Sequence, residues 1–287
     1  MGVSCAEPAQ QGTGSVDCVS DAWQSGWVSE RAYCVLAPNP GPMTLEGTNT
    51  WVLLEPGATE AVVIDPGPLN LEHLEHVLRF VEEKGARVAL TLLTHHHQDH
   101  AEAAEHFAAQ TAAPVRAIGT GHDDLADGET VQVGGLDVTV VTTPGHTADS
   151  VSFLLPAESA LLTGDTVLGR GTTVVAWPDG ELAAYLDSLE RIERLAASGE
   201  AARILPGHGP LVPDAKATVD FYRQHRAERL DEVRAALKAG DTQPRQIVER
   251  VYADVPKAVW PAAELSVRAQ LDYLQYRSAD GGRNVTE

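Results

Sequence analysis

The run His95-His96-His97-Gln98-Asp99-His100 carries the densest chemistry in this 287-residue chain. Neutral imidazole and ionised carboxylate are ordinary zinc ligands, bound at about 2.0–2.2 Å. The run follows Val88-Ala-Leu-Thr-Leu-Leu-Thr94, whose β-branched and aliphatic residues predict a buried strand. Side chains alternate along extended backbone, so His95 and His97 face one way and His96 the other. Asp99 and His100 fall where the strand gives way to a helix, within reach of a second metal ion beside the first.

Three later segments offer what that turn lacks. His146 lies in Thr142-Thr-Pro-Gly-His-Thr147, after the strand-like Leu136-Asp-Val-Thr-Val-Val141. Asp165 lies in Leu161-Leu-Thr-Gly-Asp-Thr166, and His208 in Ile204-Leu-Pro-Gly-His-Gly-Pro210. Each follows an apolar run and sits beside glycine or proline, which turns the chain sharply and lets backbone approach a metal. Loops at strand ends can converge on one edge of a sheet. A lone loop histidine is more often a capped or solvated residue, but these segments together read as one site.

In this combination the chain resembles the metallo-β-lactamase superfamily of dinuclear zinc hydrolases, over about residues 33–212. The resemblance implies an α+β fold, the αββα sandwich, and two zinc ions per chain, with manganese or iron as substitutes. It assigns His95, His97 and His146 to one ion, Asp99, His100 and His208 to the other, and Asp165 as the bridge. Asn39-Pro-Gly-Pro-Met-Thr-Leu-Glu-Gly-Thr-Asn-Thr50, Gly164-Asp-Thr-Val-Leu-Gly-Arg-Gly-Thr-Thr173 and Leu205-Pro-Gly-His-Gly-Pro-Leu211 are similar to the narrower lactamase-B-like protein 2 family. That family carries a winged-helix-like tail and includes an endoribonuclease for single-stranded RNA; fungal polyketide thioesterases are related. Two departures stand out. His96 occupies a position usually aromatic, and Ala101-Glu-Ala-Ala104 replaces a glycine-rich stretch. The latter predicts a helix starting immediately after His100, with Glu102 adding negative charge near the site mouth.

The elements that position these residues are partly readable. Trp51-Val-Leu-Leu54 and Ala61-Val-Val-Ile64 predict paired strands around Glu55-Pro-Gly-Ala58. Leu71 to Lys84 has apolar residues at helical spacing (Leu71, Leu74, Val77, Leu78, Val81), with Asn70 as cap and Gly85 as stop. Glu181 to Ser198 repeats the pattern with Leu182, Tyr185, Leu189, Ile192 and Leu195. The expected division is a loose tail over 1–22, a hydrolase domain over 23–213 and a helical winged-helix-like appendage over 214–287. In the appendage, Asp214 to Ala239 is a long helix, Thr242 caps Gln243 to Ala253, and Glu264 to Tyr276 carries Leu265, Val267, Leu271 and Leu274. It reads as a packing or dimerisation module that walls the active-site groove.

Composition bounds the function. A hydrophobic content of 43% suits a globular protein. No apolar run approaches the roughly 20 residues needed to span a bilayer, so no membrane partner is expected. The first residues lack a basic start and an apolar core, Cys5, Cys18 and Cys34 form no disulfide framework, and the expected location is cytoplasmic. Asn284-Val-Thr286 is taken as a chance glycosylation match. The net charge of −20 weighs against a phosphate-backbone ligand, which is held mainly by Lys and Arg. Arg223, Arg226, Arg229 and Arg234 have helical spacing but alternate with Glu228, Asp231 and Glu232, reading as a solvated, salt-bridged helix.

The residues and the resemblance together favour a zinc hydrolase of a small ester, thioester or lactone. A hydroxide between two metals about 3.5–4 Å apart would attack, with Asp99 and Asp165 as catalytic carboxylates. The main alternative is a metal-dependent endoribonuclease. Minor ones are β-lactam side activity, an iron redox variant, and a non-catalytic metal-binding protein, which the complete ligand set opposes. A small molecule is expected as partner ahead of RNA, with a homodimer left open. Asp65 reads equally as a partner for a histidine N–H and as a turn residue before Pro66-Gly67. His122 reads as a solvated loop histidine rather than an anion contact. Asn49 and Gly171-Thr-Thr173 resemble cleft positions whose backbone N–H groups contact substrate.

Overall fold

The computed structural model describes residues 23–119 and 121–279. The expected loose tail over 1–22, Cys5, Cys18 and the Asn284-Val-Thr286 match lie outside the described residues. Apolar runs bounded by turn residues form two sheets. The first places β1 (Gly26–Trp27), β2 (Ala32–Leu36), β3 (Asn49–Leu53), β4 (Glu60–Ile64), β5 (Arg87–Leu92), β6 (Val115–Ala117) and β7 (Asp123–Asp124) side by side in chain order. The second holds β8 (Thr130–Val133), β9 (Leu136–Thr142), β10 (Val151–Leu155), β11 (Ala160–Gly164) and β12 (Arg203–Pro206).

Strand direction explains where the chemistry gathers. β4 and β5 run parallel, so the loops after Ile64 and Leu92 leave the first sheet at one edge. In the second sheet β9 and β11 are each antiparallel to β10, and β12 is parallel to β11. β9, β11 and β12 therefore share a direction and deliver residues 143, 165 and 207 to one edge. Backbone bonds join the two edges: the Val151 N–H donates to the Thr94 carbonyl at 2.8 Å, and the Asn49 N–H to the Gly207 carbonyl at 2.8 Å.

Between the sheets lies a core that includes Trp51, Leu53, Ile64, Leu92, Phe153 and Leu155. The first sheet's outer face packs on α1 (Leu71–Glu83) and α3 (Ala104–Thr111) through Val52, Val63, Leu74, Val77 and Phe107. The second sheet's outer face meets α4 (Leu182–Ser198) and α5 (Ala215–Lys238) through Leu161, Ile204, Tyr185, Leu189 and Tyr222. This helix–sheet–sheet–helix layering buries both faces of each sheet. Within the helical stripes two expected core residues face water instead: Leu71 is 57% exposed at the first position of α1, and Leu265 is 38% exposed.

Trp51 is 2% exposed, and its indole N–H donates to the Pro206 carbonyl at 3.0 Å, directly before the His208 loop. Truncating a buried aromatic costs about 3–5 kcal/mol, and the Pro206 carbonyl loses one of its two side-chain donors, keeping only the Asn49 amide. Trp51→Ala is therefore expected to shift the urea midpoint strongly, and Trp51→Phe far less. Equal midpoints for the wild type and Trp51→Ala would refute this placement of the core.

Beyond β12, Asp214 caps α5 by accepting from the Ala217 N–H at 2.9 Å. α6 spans Pro244–Val251 and α7 spans Trp260–Ala279. The cap of α6 is Gln243 rather than Thr242; the Gln246 side-chain oxygen accepts from both of their N–H groups. α7 starts at Trp260 rather than Glu264, because Pro261 is tolerated in a first helical turn. Val233, Ala236, Ile247, Val248, Trp260 and Val267 form a separate small core, while Val219 and Tyr222 of α5 belong to the outer core of the second sheet. α5 is thus shared between both bodies of apolar packing.

Candidate metal centre

β5 ends at Leu92, and two residues later extended backbone still sets His95 and His97 on one side. His95 is buried, its Nε2 3.0 Å from His97 Nδ1, and His146 Nε2 lies 3.1 Å from the same His97 Nδ1. His96 turns away to Asp149, 2.9 Å distant. The chain then coils into the short α2 (Gln98–Ala101), earlier than Ala101-Glu-Ala-Ala104 suggested. That helix breaks at once because the Ala103 N–H donates to the Gly67 carbonyl instead of continuing the ladder. Glu102 is occupied by the Leu69 N–H at 2.9 Å. The turn presents Asp99 and His100 to His208: Nε2 of His208 is 3.2 Å from Asp99 Oδ2 and 3.2 Å from His100 Nε2.

Asp165 lies between these groups. Its carboxylate oxygens are 3.4 Å from His100 Nε2, 3.4 Å from His208 Nε2 and 3.8 Å from His146 Nε2. Ligand-type atoms of His95, His97 and His146, of His95, His100 and Asp165, and of Asp99, His100 and His208 lie within 4.8 Å of one another in each set.

The outer ring nitrogens reveal what the inner ones need. His146 Nδ1–H donates to the Val174 carbonyl at 2.8 Å, and His208 Nδ1–H to the Gly47 carbonyl at 3.1 Å. His100 Nδ1 pairs with Asp65 Oδ2 at 2.8 Å. Once neutral, each ring would present an inward lone pair, and these lone pairs would face one another and two carboxylates. Asp165 Oδ1 is buried without a hydrogen-bond partner. Acceptors converging on acceptors are satisfied by cations, and the imidazole and carboxylate donors fit zinc.

Charge is divided across the site. Burial, with neighbouring histidines, pushes His95 well below the usual imidazole range and His97 down to about 4. Burial opposes charge on His100 and His208 too, but Asp165 outweighs it, holding His208 up at about 9 and His100 well above its usual value. Asp165 would be raised by burial; His208 and His100 hold it well below the ordinary carboxylate range. Asp99 is likewise lowered by His208 and His100 against its own desolvation.

Asp65 resolves as the partner of a histidine. It is 1% exposed and adopts a left-handed backbone, φ 52°, unusual for a residue with a side chain. Its carboxylate accepts from the Thr94 N–H and Thr94 hydroxyl, both at 2.7 Å, besides orienting His100. Thr94 also meets His95 Nδ1 at 3.0 Å. Removing such a support costs about 10–100-fold in metal affinity. Asp65→Asn, which tolerates the left-handed backbone, is expected to weaken zinc binding by that factor in a chelator competition. Unchanged affinity would show that Asp65 does not tune the site.

Other sequence expectations are redistributed. Asn49 braces the His208 loop instead of facing a cleft: its amide donates to the Pro206 and Gly209 carbonyls, and its oxygen accepts from the Trp23 indole. His122 stands near Glu105, away from the cluster. Arg226 is not solvated; it is 4% exposed beneath the Thr173 carbonyl. Thr94, Val174 and Gly47 escaped sequence reasoning, although the position of Thr94 between a strand and a ligand histidine was a usable signal. A cavity of about 300 Å³ opens on the cluster, with His146 and Asp165 in its wall beside Gly171, Thr172 and Thr173. Its opposite wall comes from the C-terminal helices, through Tyr252, Val255, Val259 and Ala263.

The sequence profile of the metallo-beta-lactamase superfamily matches residues 43–132 and 119–208, a span that holds every one of these ligand-type side chains. The chain belongs to the metallo-beta-lactamase superfamily. A second profile, the beta-lactamase associated winged helix domain, matches residues 244–277, covering α6 and most of α7. A beta-lactamase-like protein 2 homolog of Caenorhabditis elegans is 34% identical over 86% of this chain and 85% of its own length. An atrochrysone carboxyl ACP thioesterase of Aspergillus chevalieri is 32% identical over 81% of this chain and 76% of its own. The crystal structure of a beta-lactamase domain protein from Burkholderia ambifaria shares the fold, with a TM-score of 0.76 at 22% identity over 90% of this chain and 91% of that one. As a hydrolase of the metallo-beta-lactamase superfamily, the chain combines that fold with a His/Asp cluster able to hold metal.

Proposed function

We propose that this protein is a dinuclear zinc hydrolase of a small ester or thioester, with His95, His97 and His146 at one ion, Asp99, His100 and His208 at the other, and Asp165 between them. The observation that carries this reading is the convergence of these side chains on one another, with His146 and Asp165 in the wall of a cavity of about 300 Å³ whose far wall is mainly apolar. A cavity of that size and lining suits a compact acyl group. The thioesterase name of a relative points the same way.

Bound zinc would lower the pKa of a water from 15.7 toward about 7 and polarise the substrate carbonyl. The chain's own groups do the rest. Asp99, held ionised by His208 and His100, accepts a hydrogen bond from the attacking water and orients it. Asp65 and the Val174 and Gly47 carbonyls fix the ring planes of His100, His146 and His208. Val255, Val259 and Met43 exclude bulk water from the acyl group. The products are a carboxylic acid and a thiol or alcohol, water supplying the added oxygen and both hydrogens.

The endoribonuclease alternative draws on Arg170 and Arg229, which line the same cavity. Both already pair with carboxylates, Glu46 and Glu232, each at 2.7 Å. With a net charge of −20, the chain offers a phosphate backbone little counterion release. The deciding experiment runs zinc-loaded protein in parallel on short-chain acyl thioesters and on labelled single-stranded RNA. Thiol release with intact RNA supports the proposal; cut RNA without thiol release overturns it.

A further inference from the structure

The cavity beside the metal centre contains a charge that hydrolysis of a neutral ester leaves unused. Arg226 is 4% exposed on α5 and is one of the residues lining the cavity. One edge of its guanidinium is anchored: Nη2–H donates to the Thr173 carbonyl, and the guanidinium carbon lies 4.9 Å from the centre of the Tyr185 ring. Its Nε–H is buried without a hydrogen-bond partner, and no described carboxylate pairs with it. Arg170 and Arg229, by contrast, have carboxylate partners. His225, the preceding residue, also lines the cavity, and its Nδ1 is buried without a partner.

A buried guanidinium lacking a counter-charge opposes folding. A neutral donor would brace the Thr173 carbonyl without that penalty. The geometry points to an anion subsite: Arg226, assisted by His225, receives a carboxylate carried at the end of the substrate remote from the reacting carbonyl. This inference rests on the hydrolase reading of the cavity and narrows it to acyl groups bearing a terminal carboxylate. The planar fork of arginine matches a carboxylate, and the apolar lining leaves the pair weakly screened. Thr173, which anchors the guanidinium, also donates its hydroxyl to the Asp165 carbonyl at 2.6 Å, so subsite and metal centre share one loop.

The test compares pentanoyl and glutaryl thioesters of N-acetylcysteamine, which have equal chain length and differ in the terminal carboxylate. Their non-hydrolysable thioether analogues, with CH2 in place of the carbonyl, are titrated calorimetrically into metal-loaded protein. Wild-type protein is expected to bind the carboxylated analogue about tenfold more tightly or better, the usual worth of a charged hydrogen bond. Arg226→Met should erase the preference and Arg226→Lys restore part of it. Equal binding of both analogues by the wild type, which needs no variant to fold, overturns the subsite. So does a preference that survives in Arg226→Met, since the carboxylate then sits on the metals. Turnover separates the two readings: equal cleavage of both thioesters removes the subsite and leaves the hydrolase. Carboxylate-dependent binding with neither thioester cleaved removes the hydrolase and leaves the subsite.

Discussion

Asp165→Asn is expected to lower thioester turnover by roughly a thousandfold, because metal-linked charge stabilisation is worth several kcal/mol and each 1.36 kcal/mol is a factor of ten. Asparagine keeps the shape of the side chain, so the buried environment stays filled. What it removes is the anionic group between His100, His208 and His146. The charge on this carboxylate also holds the protons of His100 and His208 in the metal-free pocket, and a dication would take their place. Metal content should fall along with turnover, while the thermal transition remains cooperative. Near-wild-type turnover in Asp165→Asn would remove Asp165 from the machinery.

Gly207→Ala should be almost as damaging, by about a hundredfold in turnover, the penalty for displacing a reacting group by about 1 Å. A Cβ at this position would lie 2.5 Å from Asp165 Oδ1 and 2.8 Å from His100 Cε1. Gly207 does not have a left-handed backbone, so alanine is conformationally acceptable and the injury is confined to the site. The added Cβ would also lie 3.0 Å from the backbone carbonyl carbon of Gly164, whose oxygen accepts from the Gly207 N–H. Gly26→Ala, where an added Cβ meets open space, serves as control and should match the wild type. A Gly207→Ala protein with full zinc content and full turnover would mean that the cluster is looser than its packing indicates.

The ligand-type residues were legible because chemistry and local structure coincide in the sequence. His146, Asp165 and His208 each follow glycine at the end of an apolar strand, and strand direction carries them to one edge. Asp65 was ambiguous because its proximity to His100 depends on β4 pairing with β5, and its positive φ leaves no clear mark in Ile64-Asp65-Pro66. Arg226 was hidden for a different reason. Glu228, Asp231 and Glu232 make the helix look solvated, and only the packing of α5 on α4 shows that the face bearing Tyr222, Arg226 and Leu230 is buried. The start of α7 was also misplaced, at Glu264 instead of Trp260, since Pro261 marks both an end and a first turn, whereas α6 begins within one residue of its expected start. The appendage was expected to wall the groove, but the residues that do so, Val255, Val259 and Ala263 among them, could not be named, because short apolar stretches do not say which cavity they close.

The most direct test is stepwise zinc titration of chelator-stripped protein, with thiol release from a short-chain thioester as readout. Turnover should be negligible without metal and should level off at two equivalents of zinc per chain. Turnover that persists after stripping, or that is complete at one equivalent, would contradict a dinuclear zinc hydrolase.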